Sequence, residues 1–303
     1  MPVTQRPLLA LVLRLGAMFM MATMLMLVKL AGQRGVPLGE TIFWRQFVPA
    51  FCLVGWLAAR RRLDLLRTRH PWLHVRRAVI GTIAMGFTLG VVRLLPLAES
   101  TILGFTMPLF AVFLSVALLN EKVGLWRGGA IALGLVGIVV TVGFDRSHLP
   151  VMGVAVGLGA AISSGLVVIQ LREMSRTEEP ITVVCWFSIA GAVLLSPLLL
   201  LAGHHNDPAD WALMIGIGLA GLAVQMLTTS ALRLGQVSSV MVMDYTQFIW
   251  AALWGWLVFS QPPAPTTWIG APLIVAAGVI IARREQILHR RTRLESTVSS
   301  SGD

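Results

Sequence analysis

Leu232–Gln261 reads LRLGQVSSVMVMDYTQFIWAALWGWLVFSQ, and the fold turns on what that stretch is. Most of it is too apolar for a helix in water, yet Asp244, Tyr245, Thr246 and Gln247 stand together inside it. A carboxylate at membrane depth costs about 2.5 kcal/mol or more unless it faces protein, water or a partner. Polar residues in such a place are functional candidates by default. The stretch has an echo about 140 residues earlier in Val92–Glu121, VRLLPLAESTILGFTMPLFAVFLSVALLNE. Arg93 answers Arg233, Leu94 answers Leu234, Ala98 answers Ser238 and Glu121 answers Gln261. The chain reads as one unit written twice, with its polar centre in the second copy.

Of 303 residues 56% are hydrophobic and only 13% charged, and the mean hydropathy is +0.79. Soluble domains carry about 25% charged residues, so the solvent expected here is a lipid bilayer. Ten apolar segments are long enough to cross a hydrocarbon core of about 30 Å. They are 12–31, 42–58, 79–95, 100–119, 128–144, 151–171, 181–202, 212–232, 237–259 and 268–282. The net charge of +10 would suit nucleic acid, but the basic residues lie beside membrane segments instead of along one soluble face, so no nucleic-acid partner is expected. Two cysteines, Cys52 and Cys185, make neither a disulfide framework nor a metal set. Arg14 interrupts the first apolar run and no small-residue cleavage site follows, so the run is read as a retained helix, not a signal peptide. The polar end, Glu295–Asp303, is expected to be disordered.

Placement of Lys and Arg orients the chain. The loop between helices two and three holds Arg60, Arg61, Arg62, Arg67, Arg69, Arg76 and Arg77, which puts it in the cytoplasm. Alternation from there makes both termini cytoplasmic, including the tail 285–303. Of the 24 Lys and Arg residues only Lys29, Arg34, Arg93 and Arg146 then fall outside, while Arg14 and Arg45 lie within helices. Internal echoes support the duplication. Leu15-Gly16-Ala17 matches Leu158-Gly159-Ala160, Lys29 matches Arg172, and Gly129 and Gly137 match Gly270 and Gly278. Residues 8–144 and 150–284 become two copies of five helices each. Five is odd, so the second copy enters the membrane inverted. The fold class expected is an all-α polytopic membrane protein with ten transmembrane helices in two inverted repeats, a transporter design whose substrate sits near the midplane.

Two motifs then carry a resemblance. PLAESTILGFTMPLFAVFLSVALLNEK (Pro96–Lys122) followed by WRGGAIALGLVGIVV is similar to the EamA domain of the drug/metabolite transporter superfamily. DYTQFIWAALWGWLVFSQ (Asp244–Gln261) followed by WIGAPLIVAAGVIIA resembles the closing half of the same family. The resemblance covers Leu8 to Arg284. It implies a carrier of small metabolites, often an exporter of amino acids or related compounds, with a central cavity lined by helices one, three, four, six, eight and nine. It also implies an acid after helix nine, where this chain has Gln261.

Asp244 is open to three readings: a site for a cationic substrate group, a proton-exchanging residue, or a structural ion pair. Gln247 shares its helix face one turn on, and Tyr245 with Trp250 would form an apolar wall carrying a hydroxyl. Gln225 with Thr228 or Thr229 makes a hydrogen-bonding stripe on helix eight; Gln170 and Thr88 are similar single polar residues. Each could touch substrate or serve as polar glue between helices. Lys29, Glu40, Arg45, Arg93 and Glu99 gather toward the predicted outer side as a gate or as helix-end ion pairs. Pro108 is expected to kink helix four. The Gly-rich helices five and ten could pack within the monomer or between two copies of a homodimer.

No P-loop and no H-E-x-x-H occurs, and all six histidines are expected in loops or the tail. ATP-driven transport, metal sites and cofactors are therefore not expected. The reading that results is an inner-membrane carrier of small metabolites, amino acids or derivatives foremost and export favoured, with proton coupling through Asp244 as a hypothesis. The rivals are a membrane enzyme acting on a lipid or lipid-linked substrate, and a non-transporting scaffold.

Overall fold

The structure, a computed structural model, describes residues 6–68, 70–119, 125–142, 149–174, 177–202, 207–234 and 243–300. Among them the regular elements are helical: α1 (Pro7–Gln33), α2 (Leu38–Ala59), α3 (Pro71–Leu94), α4 (Leu97–Gly104), α5 (Met107–Leu119), α6 (Leu125–Val142), α7 (Val151–Met174), α8 (Pro180–Ala202), α9 (Pro208–Leu234), α10 (Gln247–Phe259) and α11 (Pro265–Ser300). Short 3-10 turns occupy Leu63–Leu66 and Met243–Thr246. Phe51, Trp56, Phe113, Trp256 and Leu257 are each more than half exposed. Such an apolar exterior suits lipid, and a helix satisfies its own backbone there.

Several helices start earlier than hydropathy suggests. α1, α3, α8, α9 and α11 each open on a proline, whose fixed φ and missing N–H suit the first helical position. α3 thus begins at Pro71 and not at Val79, which moves His74, Arg76 and Arg77 out of the expected loop and into a helix. α11 continues to Ser300, so the stretch expected to be disordered is helical as far as that residue. The fourth span is two helices, α4 and α5, because Pro108 cannot donate to Gly104 and its ring crowds that turn. The ninth expected span differs most: Asp244 and Tyr245 lie in a 3-10 turn ahead of α10, not inside a continuous helix. Residues 235–242, Glu121 and Arg146 lie outside the described residues.

Packing repeats across the two copies. α1 lies along α9 as α7 lies along α3; α10 docks on α1 as α4 and α5 dock on α7; α2 with α8 and α6 with α11 are self-matched pairs. The expected glycine packing is within the monomer. An added Cβ at Gly137 would stand 3.1 Å from the Gly270 carbonyl oxygen, and one at Gly270 would stand 2.7 Å from that of Gly137. These glycines therefore give no support to a homodimer.

Some packing relations are unmatched among the described residues. α1 packs on α3, with Gly32 against the Arg93 side chain. Their counterparts α7 and α9 have no comparable contact among the described residues. The core shows the same asymmetry. One continuous cluster fills the Lys29 half of the bundle, from Val28, Ala31 and Val92 through Leu97, Met214 and Ile274. Among the described residues the Arg14 half has three separate clusters, around Leu109 and Ala277, around Ala10 and Ala231, and around Leu57 and Cys185. Among the described residues the core is thus continuous at one end and divided at the other.

Candidate substrate site

The break between α4 and α5 and the 3-10 turn ahead of α10 are equivalent by duplication. A shift of about 140 residues carries Gly104-Phe105-Thr106 onto Asp244-Tyr245-Thr246, and α5 and α10 start one residue later in both copies. Thr106 Oγ1 donates to the Leu103 carbonyl at 2.6 Å, and Thr246 Oγ1 donates to the Met243 carbonyl at 2.6 Å. Phe105 and Tyr245 meet edge to face, with centroids 5.1 Å apart at 82°. Duplicated residues touch one another only close to the pseudo-two-fold axis, so both breaks lie at the centre of the bundle. Discontinuous helices near that axis are where inverted-repeat carriers place substrate.

Asp244 is held by a residue that sequence reasoning took for a mere interruption of helix one. Arg14 Nε lies 2.5 Å from Oδ1 and Nη2 lies 2.6 Å from Oδ2, a bidentate pair. Arg14 Nη1 also donates to Thr228 Oγ1 at 2.8 Å. Arg14 is 8% exposed and the Asp244 side chain 32%, so water reaches the acid but hardly the base. The fork geometry joins α1, α9 and the second break. No local signal links positions this far apart in the chain.

The expected wall of Tyr245 and Trp250 is divided. Tyr245 turns to Phe105 and to α11, where an added Cβ at Gly278 would meet its hydroxyl at 2.1 Å. Trp250 instead meets Phe19 of α1 at 5.2 Å, and Trp254 Nε1 donates to Thr23 Oγ1 at 3.1 Å. Gln247 opens α10, half-buried. Among the hydrogen-bonding candidates, Thr229 and Thr88 bond back to their own helices, at Gln225 O and Ala84 O, both 2.8 Å. The stripe residue that reaches across helices is therefore Thr228. Gln225 Oε1, Gln170 Oε1 and Trp250 Nε1 are buried without a protein partner. They stand on α9, α7 and α10, and such groups call for a ligand or ordered water.

The other charged candidates sit at the Lys29 end. Lys29 Nζ donates to Leu95 O at 2.7 Å and Gln261 Oε1 at 2.9 Å, with the Phe259 ring 5.3 Å away. The neutral amide thus still accepts from Lys29 where an acid was expected. Glu99 Oε1 accepts from Ala264 N at 2.9 Å and Thr267 Oγ1 at 3.0 Å, tying α4 to the start of α11. Arg93 donates to Val36 O and Thr41 Oγ1. Glu40 is buried in the first turn of α2. Arg45, half-buried, is apart from this group, deeper in α2. Lys29, Arg93 and Glu99 thus tie helices together at this end of the bundle.

Two further features depart from expectation. A cleft of about 450 Å³ lies not at Asp244 but between α2, α3 and α7, lined by apolar side chains such as Phe87 and Leu94, with Arg93 at its edge. His74 is buried in α3 and not in a loop, with Nε2 3.5 Å from Glu178 Oε2 and its ring against Trp186. Its neighbours there are a carboxylate and an indole, not the serine that a hydrolase would need.

Known proteins match this chain over most of its length. The pseudopaline exporter of Pseudomonas aeruginosa is 28% identical over 89% of this chain and 94% of its own. A riboflavin transporter of Rhizobium johnstonii is 28% identical over 84% of both chains. An S-adenosylmethionine uptake transporter of Rickettsia felis is 24% identical over 82% of this chain and 83% of its own. One crystal structure superimposes with a TM-score of 0.60 at 21% identity, covering 90% of this chain and 96% of its own, which shows the fold. These relatives are transporters, not enzymes. The model of the EamA-like transporter family matches residues 8–143 and again 151–283, and the chain belongs to that family.

Proposed function

We propose that this membrane transporter is a secondary-active or facilitative carrier that exports amino acids or their derivatives by alternating access. The observation that carries this reading is the unequal core of the described residues: continuous around Lys29, divided into three around Arg14. Such a bundle has one sealed end and one that can part, with the paired helix breaks between them. The positive-inside rule puts the parted end in the cytoplasm, where an exporter loads.

The Arg14–Asp244 pair supports an amino-acid class of substrate. Its two ions complement the carboxylate and the ammonium of a zwitterion, which would exchange with the pair as it enters. Gln225, Gln170 and Trp250 supply two acceptors and one donor for the remaining polar groups. Proton coupling follows the same pair: protonation of Asp244 would release Arg14 and open the break. Asp244→Asn proteoliposomes that keep the full wild-type response of flux to a pH gradient would remove Asp244 from that role.

The test of substrate class is a thermal-stability screen of the purified protein against amino acids, their derivatives, vitamins and nucleosides. A ligand that binds the folded state raises the melting temperature by mass action, about 2.7 kcal/mol at a hundredfold excess over Kd. Amino acids or derivatives should shift it, and Gln225→Leu and Trp250→Phe should reduce the shift. A shift confined to vitamins or nucleosides would transfer the proposal to that class.

A further inference from the structure

Two arginines that the substrate site does not use, Arg45 of α2 and Arg77 of α3, are joined through Gln46 and Phe187. Arg77 stands near the Arg14 end of α3, where a long cation ordinarily extends toward the nearer interface. It does the opposite. Its guanidinium folds inward over Gly81, where an added Cβ would stand 2.0 Å from Nη1 and 2.5 Å from the Phe187 ring. The guanidinium carbon lies 4.1 Å from the centroid of Phe187 of α8. Arg77 is 9% exposed, and its Nε and Nη1 are buried without an acceptor.

Arg45 stands seven residues into α2, about 10 Å by helical rise, and its Nε lies 3.5 Å from where a Cβ of Gly221 would be. Arg45 and Arg77 are linked through Gln46 and Phe187. The hydrogen-bond partner of Arg45 is Gln46 Oε1 at 3.1 Å, and Gln46 is itself fully buried and donates to Phe187 O at 3.2 Å. Among the described residues no carboxylate lies within ion-pair distance of either arginine. A buried cation without a counter-ion, as Arg77 is here, is strongly destabilising, and Arg45, half-buried, adds a second charge of like sign. Yet Gly81 and Phe187 are shaped to hold Arg77 there.

We propose that Arg45 and Arg77 form a site for one oxyanion, a carboxylate or phosphate group, between α2, α3 and α8. The planar forks of two arginines suit either group. This deepens the transport reading, and rests on it only for the identity of the carrier of the anion: an acidic arm of the substrate. A lipid head-group phosphate is the other source of the same chemistry.

The probe is inorganic phosphate, titrated against the full-length protein in an uncharged detergent, with chloride at matched ionic strength as the control. Wild-type melting temperature should rise saturably with phosphate. The apparent Kd should be at least tenfold weaker in Arg45→Gln and in Arg77→Gln. In chloride Arg77→Gln should melt at or above the wild type, since an uncompensated cation has been removed; a lower melting temperature would identify Arg77 as a structural partner and overturn the proposal. No phosphate response in the wild type, or equal responses in all three proteins, would also overturn it. Repeating the titration in nanodiscs assigns the source. Binding kept in phosphatidylcholine but lost in an equal mixture with phosphatidylglycerol supports the site with lipid as occupant, whereas binding kept in both supports it with a soluble anion. None of these readouts is a flux, so either reading can fail without the other.

Discussion

Arg14 is the residue on which the site depends most closely, since both Asp244 oxygens and Thr228 converge on its guanidinium. Its burial makes the pair unequal. Asp244→Asn leaves a buried cation without its counter-ion and should cost about 3 kcal/mol of stability, the low end for breaking a buried pair. Arg14→Gln leaves an acid that water already reaches and should cost about 1 kcal/mol. The double variant should be more stable than Asp244→Asn alone. A denaturation cycle in which the two single effects merely add would show that the pair contributes no coupling. In the sequence Asp244 announces itself as a charge among apolar residues, but its partner does not. Arg14 lies 230 positions away, and a single chain carries no periodicity that spans such a distance.

At the scale of elements, the paired breaks are held by small contacts that can be exchanged. Gly278 of α11 leaves room for the Tyr245 hydroxyl, and Gly278→Ala should cost about 1–3 kcal/mol by overpacking. Tyr245→Phe removes the oxygen that the new methyl would strike. The combination Gly278→Ala with Tyr245→Phe should therefore recover most of the lost melting temperature, and failure to recover would place the strain elsewhere than at Tyr245. The first break was legible, because Pro108 is an unambiguous signal against an unbroken helix. The second was not, because no proline stands beside Asp244 and only its equivalence to Phe105-Thr106 marks the place. Helix starts were misplaced for a related reason: hydropathy finds the apolar centre of a span, whereas the opening proline of α3 lies among polar residues such as His70 and His74.

For the whole molecule, the parity of five helices per copy made inversion legible from hydropathy alone. The unequal core of the described residues did not show in the sequence, because it depends on contacts between helices far apart in the chain. The sealed end carries a further clasp, Arg34 to Asp207 at 2.7 Å and to Asp210 at 2.5 Å. Asp207 is held below its ordinary value of 3.8, first by the Asp210 backbone N–H and also by Arg34. Its stabilising effect is thus complete above about pH 4 and declines as pH falls through the depressed value. Between about pH 8 and 5 the clasp should contribute in full and add no pH dependence to the wild-type melting temperature, which should then fall more steeply in stronger acid than that of Asp207→Asn. Identical acid profiles would remove the clasp from the account. The central claim, a carrier whose two halves open in turn, is tested most directly by counterflow. Proteoliposomes loaded with an unlabelled amino acid or derivative should transiently accumulate the labelled compound from outside, and saturably. Entry that matches protein-free liposomes for every compound in the panel would contradict it.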